Sequence, residues 1–358
     1  MRASVLGLGQ WLPETVRGND AWPREFAAAL QATELTDVRA GSSGDACDRI
    51  VARHVAAESG DPFLGTKHRR VGDDGMTACE AETLAGRAAL EDAGVEARDV
   101  DVVLSWALVP DRVSPSSAGR VAHLLGASRA FGMAVDAACA SAIAQLMLAA
   151  ALVQSGQARF VLLTQSHLAT RAFPLAHPAS PNVGDAATAL VVGAAERPGI
   201  LSSFGVSHGE YYDAVTWRRA KENDTPWHQP GGASYVGSYA REQAQYLVQE
   251  TVRFGAATVR EAAERARVDV AKLDAVVSVQ PRRWVPGAIA ETLGLPEGRA
   301  PQTFDDLAHL GGCGVVTNLI EARRRAQLAG SKQQSFLAAL YAQGAGFTRA
   351  AAVVRLDA

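Results

Sequence analysis

Two blocks of the sequence echo one another, and each block is a helical pattern followed by a short apolar run. In the first block the helical pattern covers residues 80–93 and the apolar run covers 101–105. In the second block the corresponding stretches are 257–266 and 274–278, and the two apolar runs start 173 residues apart with no gap inside the aligned block. A block that recurs in this way constrains the fold, because both copies are expected to form the same supersecondary unit.

The repeat continues beyond these blocks and also aligns two reactive side chains. The run 135–139 matches the run 305–309, so Cys139 and His309 occupy equivalent positions. Each run is followed by a long helical pattern and then by a further strand-like run. Equivalent strand ends of two similar halves converge near the axis that relates the halves. We therefore expect Cys139 and His309 to lie close together.

The alternation of strands and helices predicts the fold class, because it is typical of α/β units with helices on both faces of their sheets. The repeat predicts an α/β fold of two pseudo-symmetric halves, residues 1–195 and 196–358. Within the second half, residues 208–239 are rich in Gly, Pro, Trp and Tyr and lack periodicity. We interpret this stretch as an insertion or a lid over a site.

The length and charge of the chain limit the class of protein it can belong to. With 358 residues, of which 48% are hydrophobic and 20% charged, the chain can bury the cores of two domains and is not a disordered tail. The formal net charge of −3 gives no indication of a nucleic acid or an anionic membrane as a partner. The basic clusters 68–70 and 323–325 are short, and each is either solvated surface or a site for a phosphate-bearing ligand.

Four cysteines are scattered along the chain: Cys47, Cys79, Cys139 and Cys313. They form no CxxC pair and no zinc-binding spacing, which predicts reduced thiols in a cytoplasmic protein without a bound metal. The N-terminus lacks the apolar core of a signal peptide. The most apolar stretch, 134–153, is interrupted by polar residues, so we expect no membrane span.

Cys139 differs from the other cysteines in its local sequence. It follows an extended run and opens a helical pattern of small residues at 140–146. A thiol at a strand-to-helix junction sits at the positive end of the helix dipole, which lowers the pKa of the thiol and raises its thiolate fraction. The alternative is a buried and inert cysteine. Cys47, Cys79 and Cys313 lack this setting and are interpreted as structural.

Three motifs, taken in their order and spacing, resemble those of the thiolase superfamily and specifically of its ketoacyl-ACP synthase III branch (ACP, acyl carrier protein). Val-Asp-Ala-Ala-Cys-Ala-Ser at 135–141 resembles the nucleophile motif. Gly-Asp-Ala-Ala-Thr-Ala at 184–189 resembles the Gly-Asp turn, and Gly-Ala-Gly-Phe-Thr at 344–348 resembles the C-terminal glycine loop. The resemblance spans nearly the whole chain. It implies a thiolase fold, which is a five-layered αβαβα sandwich of two similar halves, and a homodimer.

The resemblance also implies the first half of a reaction. Cys139 would take an acyl group from CoA or from an acyl carrier protein, both of which present the thioester on a pantetheine arm. The backbone N–H groups of Cys139 and Gly346 would form an oxyanion hole for the thioester carbonyl. No metal or redox cofactor is implied.

One position departs from the decarboxylating enzymes of this branch, which use Cys, His and Asn. Their histidine falls on Val279 here, and the segment 278–284 contains no histidine. The neighbourhood of their asparagine contains His309 instead. Two side-chain donors stabilise the enolate that decarboxylation creates, and valine cannot donate a hydrogen bond. A single histidine near a cysteine suits proton removal from an incoming hydroxyl, amine or thiol.

Acyltransferases of this branch carry a Cys-His-Asp triad with the histidine at the later position, and this sequence resembles them. His309 is therefore predicted to be the general base. The acid of those enzymes lies a few residues after the histidine, where this sequence has 314–318 without an acidic residue. Asp306 is predicted to substitute for that acid, and the alternative is a turn aspartate that mirrors Asp136 in the repeat.

Three further side chains are predicted to contact the substrate: Gln280, Arg282 and His177. Gln280 and Arg282 stand where the family has polar residues, although Arg282 is equally compatible with a solvated turn. His177 lies in a proline-rich loop at 174–181.

The predicted function is acyl transfer in natural-product biosynthesis, from a Cys139 thioester to a hydroxyl, an amine or a carrier-protein thiol. The acceptor is thus a small molecule or a second carrier protein. Two alternatives stay open at this point. One is a carbon–carbon condensing enzyme of the ketoacyl synthase III type, and the other is a non-catalytic scaffold subunit.

Overall fold

The computed structural model describes residues 2–34, 44–58, 60–197, 199–219, 234–237, 241–328 and 335–357. Its strands are β1 (Arg2–Trp11), β2 (Val16–Gly18), β3 (His68–Arg70), β4 (Val102–Ala107), β5 (Phe131–Ala134), β6 (Phe160–Leu168), β7 (Asp185–Ala195), β8 (Ile200–Ser207), β9 (Thr216–Arg219), β10 (Ser234–Gly237), β11 (Ala275–Ser278), β12 (Ser335–Gly344) and β13 (Thr348–Asp357). Its α-helices are α1 (Arg24–Glu34), α2 (Ala46–Glu58), α3 (Ala78–Ala93), α4 (Ser117–Leu125), α5 (Ser141–Gln154), α6 (Arg241–Ala266), α7 (Val285–Thr292), α8 (Phe304–Leu307) and α9 (Gly314–Leu328).

Two mixed sheets form the framework of the protein. The first has the strand order β1-β7-β6-β4-β5, and the second has the order β11-β12-β13-β8. In the first sheet β4 runs parallel to β5 and β6, whereas β1 and β7 are antiparallel to their neighbours. In the second sheet β11 runs parallel to β12, and the other pairs are antiparallel. The two apolar runs of the repeat lie in β4 and β11, which confirms both as strands.

Helices cover both sheets and also separate them, which gives five layers. Helices α5 and α9 are buried between the sheets, in a core that includes Ile143, Leu146 and Leu319. Helices α3 and α4 pack on the outer face of the first sheet. Helices α6 and α7 pack on the outer face of the second sheet. The described residues therefore form the αβαβα sandwich that the family resemblance implies.

Helix α2 crosses from one predicted half to the other. It belongs to residues 1–195 by position, yet Cys47 and Val51 lie in the same apolar core as Val252 and Ile289 of α6 and α7. Arg253 of α6 strengthens this contact, because its guanidinium pairs with two carboxylates near the start of α2. The division at residue 195 remains a prediction about the halves.

The predicted lid at 208–239 is described only in part, because residues 220–233 and 238–240 lie outside the described residues. The described parts include an antiparallel pair, β9 with β10, where the sequence shows no periodicity. A two-stranded ribbon of four residues on each side is too short for a sequence period to be visible. Among the described helices, none is both long enough and apolar enough to cross a membrane.

Candidate active site

A cavity of about 290 Å³ lies between segments of the two halves, and Cys139 and His309 both line it. Gly346 lines it from the turn between β12 and β13. Tyr211 and Val215, from the described part of the predicted lid, form part of the opposite wall. One face of α6 supplies much of the apolar lining, at the helical spacing of residues Ala244, Leu247, Val248 and Thr251. The cavity therefore combines one thiol, one imidazole and a largely apolar wall.

Cys139 sits on a tight turn that leads into α5. The extended run ends earlier than predicted, at Ala134, and a 3-10 turn over Ala138–Ala140 carries the cysteine. Ala138 has φ of 49°, a left-handed conformation that alanine rarely adopts. The side chains of Asp136 and Ser141 hold the turn. Oδ1 of Asp136 accepts a hydrogen bond from the Ala138 N–H, and Oγ of Ser141 donates one to the Ala138 carbonyl. These local bonds fix the direction in which the thiol points.

His309 is placed by an equivalent turn in the second half. The run 305–309 is not extended as its partner suggested, because α8 occupies it as far as Leu307. Ala308 then has φ of 57°, matching the left-handed alanine that precedes the cysteine. The backbone N–H of His309 donates to the Asn182 carbonyl at 3.0 Å, and its carbonyl accepts from the Gly184 N–H at 3.1 Å. His309 is thus held on both sides by the segment that leads into β7.

Gly184 explains why the predicted Gly-Asp turn begins with glycine. A Cβ at this position would lie 2.3 Å from the Leu307 carbonyl oxygen, so only glycine lets the two segments approach. The following Asp185 accepts hydrogen bonds from the N–H and hydroxyl of Thr170 and from the Gly72 N–H. The motif therefore builds the wall against which the His309 segment rests.

The two reactive side chains are in contact with one another in the cavity lining. Sγ of Cys139 lies 3.7 Å from Nε2 of His309, and Nδ1 of His309 lies 2.9 Å from the Gln280 carbonyl oxygen. A carbonyl only accepts, so Nδ1 carries the hydrogen and Nε2 presents its lone pair to the thiol. This tautomer can take a proton from the thiol or from an acceptor bound nearby.

Burial keeps both groups neutral in the free protein. Desolvation, together with a smaller contribution from the neighbouring His167, lowers the pKa of His309 to about 3. Desolvation also raises the pKa of the Cys139 thiol to about 12. The net shift is therefore opposite to the lowering predicted from the helix dipole, and desolvation is its largest cause. The site holds a thiol and a neutral base rather than a thiolate–imidazolium pair.

We expect the alkylation rate of Cys139 by iodoacetamide to keep rising with pH above the ordinary thiol value of about 8.5. Burial disfavours the thiolate, so the thiol titrates above this value, and thiolate formation adds to any pH-independent rate that the neutral His309 base supports near neutrality. The rate is measured by mass spectrometry of the Cys139 peptide, with Cys139→Ala as the blank. A rate that no longer rises above about pH 8.5 would contradict the raised pKa of the thiol.

Asp306 does not orient His309, so that part of the sequence prediction is wrong. Its side chain is 75% exposed, and Oδ1 lies 3.1 Å from Nδ1 of His68 on the surface. The position three residues before His309 falls in α8, which turns the carboxylate away from the cavity. The Gln280 carbonyl occupies the place of the third triad member.

Replacement of Asp306 by asparagine is therefore expected to change turnover by less than about twofold, because exposed substitutions remote from the site have small effects. Steady-state kinetics of Asp306→Asn against the parent protein tests this. A loss as large as that of a His309 variant would restore Asp306 to the site.

The three predicted substrate contacts have different fates. Arg282 lines the cavity as expected. The Gln280 side chain is only 3% exposed and bonds to the Pro301 carbonyl and the Thr303 N–H, so it cannot contact a ligand in the cavity. His177 lies outside the cavity, where it packs edge-on against Phe173. Both residues were singled out by sequence position, which does not reveal the direction of a side chain.

The glycine loop lies close to the backbone of the Cys139 turn. Gly346 has φ of 71° and lines the cavity. A Cβ at Gly344 would lie 2.2 Å from the Ala137 carbonyl oxygen and 3.2 Å from the Cys139 nitrogen, so glycine is required for this approach. The oxyanion hole of Cys139 and Gly346 stays a prediction that this geometry permits.

Val279 occupies the position where the resemblance places a histidine. It is 2% exposed and packs in the core between the sheets near Gly314. Its side chain supplies no hydrogen-bond donor. Among the described residues, no three histidine, cysteine or carboxylate side chains are grouped so as to hold a metal ion.

Several features of the site escaped the sequence prediction. Three of the five left-handed non-glycine residues in the described chain flank it: Ala138, Ala308 and Phe347. Strained backbone conformations of this kind cluster at functional sites. The identity of a residue such as alanine does not show that its backbone is strained. The apolar face of α6 was detectable in principle, because its cavity residues recur at helical spacing.

Comparisons with known proteins agree with this architecture. Residues 133–209 match the family 3-oxoacyl-[acyl-carrier-protein] synthase III, and residues 263–356 match the C-terminal domain of the same family. A beta-ketoacyl-[acyl-carrier-protein] synthase III of Roseobacter denitrificans is 28% identical over 99% of both chains. A beta-ketoacyl-[acyl-carrier-protein] synthase III 1 of Vibrio vulnificus is also 28% identical, over 99% of this chain and 100% of its own.

Solved structures show the same fold. The 3-oxoacyl-(acyl carrier protein) synthase III of Pseudomonas aeruginosa superposes with a TM-score of 0.78, at 23% identity over 100% of this chain and 99% of its own. The priming beta-ketosynthase of the R1128 polyketide biosynthetic pathway superposes with a TM-score of 0.77, at 24% identity over 99% of this chain and 96% of its own. These structures show that the fold is shared, and the two family domains and the full-length relatives show that the chain is similar to 3-oxoacyl-[acyl-carrier-protein] synthase III.

Proposed function

We propose that this enzyme is an acyltransferase that holds its acyl group as a thioester on Cys139 and delivers it to a hydroxyl, an amine or a carrier-protein thiol. The observation that carries the proposal is the pairing of Sγ of Cys139 with the unprotonated Nε2 of His309 at 3.7 Å. Acyl-CoA or an acylated carrier protein is the proposed donor. The proposal includes a cytoplasmic homodimer.

The two half-reactions use the same two side chains. In the first, Sγ of Cys139 attacks the thioester carbonyl while its proton passes to Nε2 of His309, and the donor thiol leaves with that proton. In the second, His309 removes a proton from the acceptor as the acceptor attacks the acyl-enzyme, and the Cys139 thiol is restored. Backbone N–H groups of Cys139 and Gly346 would stabilise the oxyanion in both steps.

The absence of a donor at Val279 is what favours transfer over condensation. Decarboxylation of a malonyl thioester creates an enolate, and one imidazole is a weaker stabiliser of that oxygen than two convergent donors. Acyl transfer to a heteroatom requires no enolate. It requires one base, and His309 is held in the correct tautomer for that task.

Carbon–carbon condensation is the second candidate, and the names of the relatives favour it over simple transfer. The full-length relatives are beta-ketoacyl-ACP synthases, and their first half-reaction would be the same acyl-enzyme. Arg282 lines the cavity and is a hydrogen-bond donor that could serve an enolate in place of the missing side chain. The two candidates therefore differ only in what attacks the acyl-enzyme.

One experiment separates the two candidates. The protein is incubated with acyl-CoA or acylated carrier protein, and the mass of the Cys139 peptide is recorded. Acyl-enzyme is then given either malonyl thioester or a panel of alcohols, amines and carrier-protein thiols. We expect discharge by a heteroatom acceptor and no release of carbon dioxide.

Cys313→Ala is the matched control, because Cys313 is a fully buried thiol that does not line the cavity. It should acylate normally, whereas Cys139→Ala should not. Decarboxylation of malonyl thioester with a new ketoacyl product would establish condensation instead. No adduct on Cys139 with any donor would refute both candidates and favour a scaffold role.

A further inference from the structure

Arg69 is a fully buried arginine, although the sequence suggested a surface or phosphate-binding cluster at 68–70. Its exposed fraction is 0%. All five of its N–H groups are used, and every acceptor is a neutral oxygen. Nε and Nη2 donate to the Pro181 carbonyl at 3.0 and 2.7 Å, both terminal nitrogens donate to Asn19 Oδ1, and Nη1 also donates to the Arg17 carbonyl.

No carboxylate among the described residues compensates this charge, which makes the arrangement costly. Burying a guanidinium removes its hydration, and neutral carbonyls return less than an ion pair would. Burial accordingly lowers the pKa of Arg69 to about 10, which leaves it charged at neutral pH. Its guanidinium lies 4.6 Å from the ring centre of Trp22, whose indole N–H bonds to Ser180 Oγ. Such a cost implies that the position of the bonded oxygens matters.

The Pro181 carbonyl connects Arg69 to the active site through a single intervening residue. Asn182 follows, and its carbonyl accepts the backbone N–H of His309. Its side chain is also fixed, since Thr66 Oγ1 donates to Asn182 Oδ1 at 3.1 Å. Two bonds from a planar guanidinium converge on this one oxygen and so set the position of the Pro181 carbonyl. The segment that holds His309 is therefore clamped from behind by Arg69.

We infer that Arg69 is a positioning residue that sets His309 against Cys139 through the Pro181–Asn182 backbone. The inference rests on the proposed role of His309. Arg69 touches neither the cavity nor the reacting atoms, so its effect on chemistry must pass through the imidazole. Removing its side chain is expected to slow the proton transfer from Cys139 without preventing access to the thiol.

A double-mutant cycle on Cys139 alkylation tests this without any assumption about the substrate. Iodoacetamide forms the S–C bond, iodide leaves, and the thiol proton passes to His309. We expect Arg69→Met to slow alkylation about tenfold or more in the parent protein, and to add less than about twofold in a His309→Ala background. Arg70→Met is the matched control, because Arg70 donates to the Pro13 carbonyl from the same strand and does not reach the His309 segment.

Unfolding midpoints of all variants are measured in parallel, and Arg69→Lys replaces Arg69→Met if the methionine variant does not fold. Lysine keeps the charge but cannot make the two converging bonds, so it should restore the unfolding midpoint more than the alkylation rate. Equal slowing by Arg69→Met with and without His309 would overturn the inference, because the effect would then be structural. If His309→Ala itself leaves alkylation unchanged, the base assignment fails first. If His309→Ala slows alkylation but Arg69→Met does not, the inference about Arg69 is overturned while the base assignment of His309 stands.

Discussion

Replacement of His309 by alanine is expected to reduce acyl transfer about a thousandfold, which is the range for loss of a positioned general base. The imidazole is the only side chain placed within hydrogen-bonding reach of Sγ of Cys139 in the described residues, at 3.7 Å. Without it the thiol keeps its proton, since burial already raises the pKa of this thiol to about 12. Acyl-enzyme formation and discharge should both slow, because each step passes one proton through Nε2.

Single-turnover measurements separate the two steps, with acylation followed by peptide mass and discharge by loss of the adduct. His177→Ala is the matched control, because it removes an imidazole that lies outside the cavity. It should leave both rates near those of the parent protein. Normal rates in His309→Ala, with an unchanged unfolding midpoint, would remove His309 from the mechanism.

Replacement of Gly344 by alanine is expected to lower turnover about a hundredfold, through displacement of the glycine loop from Cys139. The added methyl group would lie 2.2 Å from the Ala137 carbonyl oxygen, and backbone atoms cannot move aside cheaply. The backbone of Gly344 has φ of −107° and ψ of 160°, which alanine adopts readily, so the effect is purely steric. We expect a loss of about 1–3 kcal/mol in the free energy of unfolding, as for other overpacked sites.

Gly119→Ala provides the contrast, because a Cβ at that helical position meets nothing within 4 Å. It should be neutral or slightly stabilising, since alanine favours a helix over glycine. Thermal unfolding and acyl-enzyme formation are measured for both variants. Full activity of Gly344→Ala would mean that the close approach of the two turns is not needed for catalysis, and the proposed oxyanion hole would lose its structural support.

Much of the fold was predictable because its signals are local and repeated. The helical and apolar runs of the two blocks need only short-range periodicity, and they became α3, β4, the end of α6, and β11. The repeat then made Cys139 and His309 equivalent, which placed two residues 170 positions apart in one site. Their catalytic roles remain predictions, but their proximity followed from the symmetry of the halves.

Other properties depended on long-range packing, which sequence spacing does not report. Asp306 lies three residues from His309 along the chain, yet α8 points it to the surface, and a carbonyl from a distant segment replaces it. The dipole that suggested a reactive thiolate at Cys139 is a local property, whereas the burial that opposes it is collective.

The sequence by itself determined the α/β repeat and the nucleophile candidate, because these are properties of residue type and order, and its resemblance to a known family identified the missing donor at Val279. The tertiary structure decided which groups meet and how much water reaches them. It turned Arg69 from a member of a basic surface cluster into a buried clamp, and it kept Cys139 and His309 neutral. The physical reason is that electrostatic free energy depends on the whole surrounding dielectric, which exists only after the chain has packed.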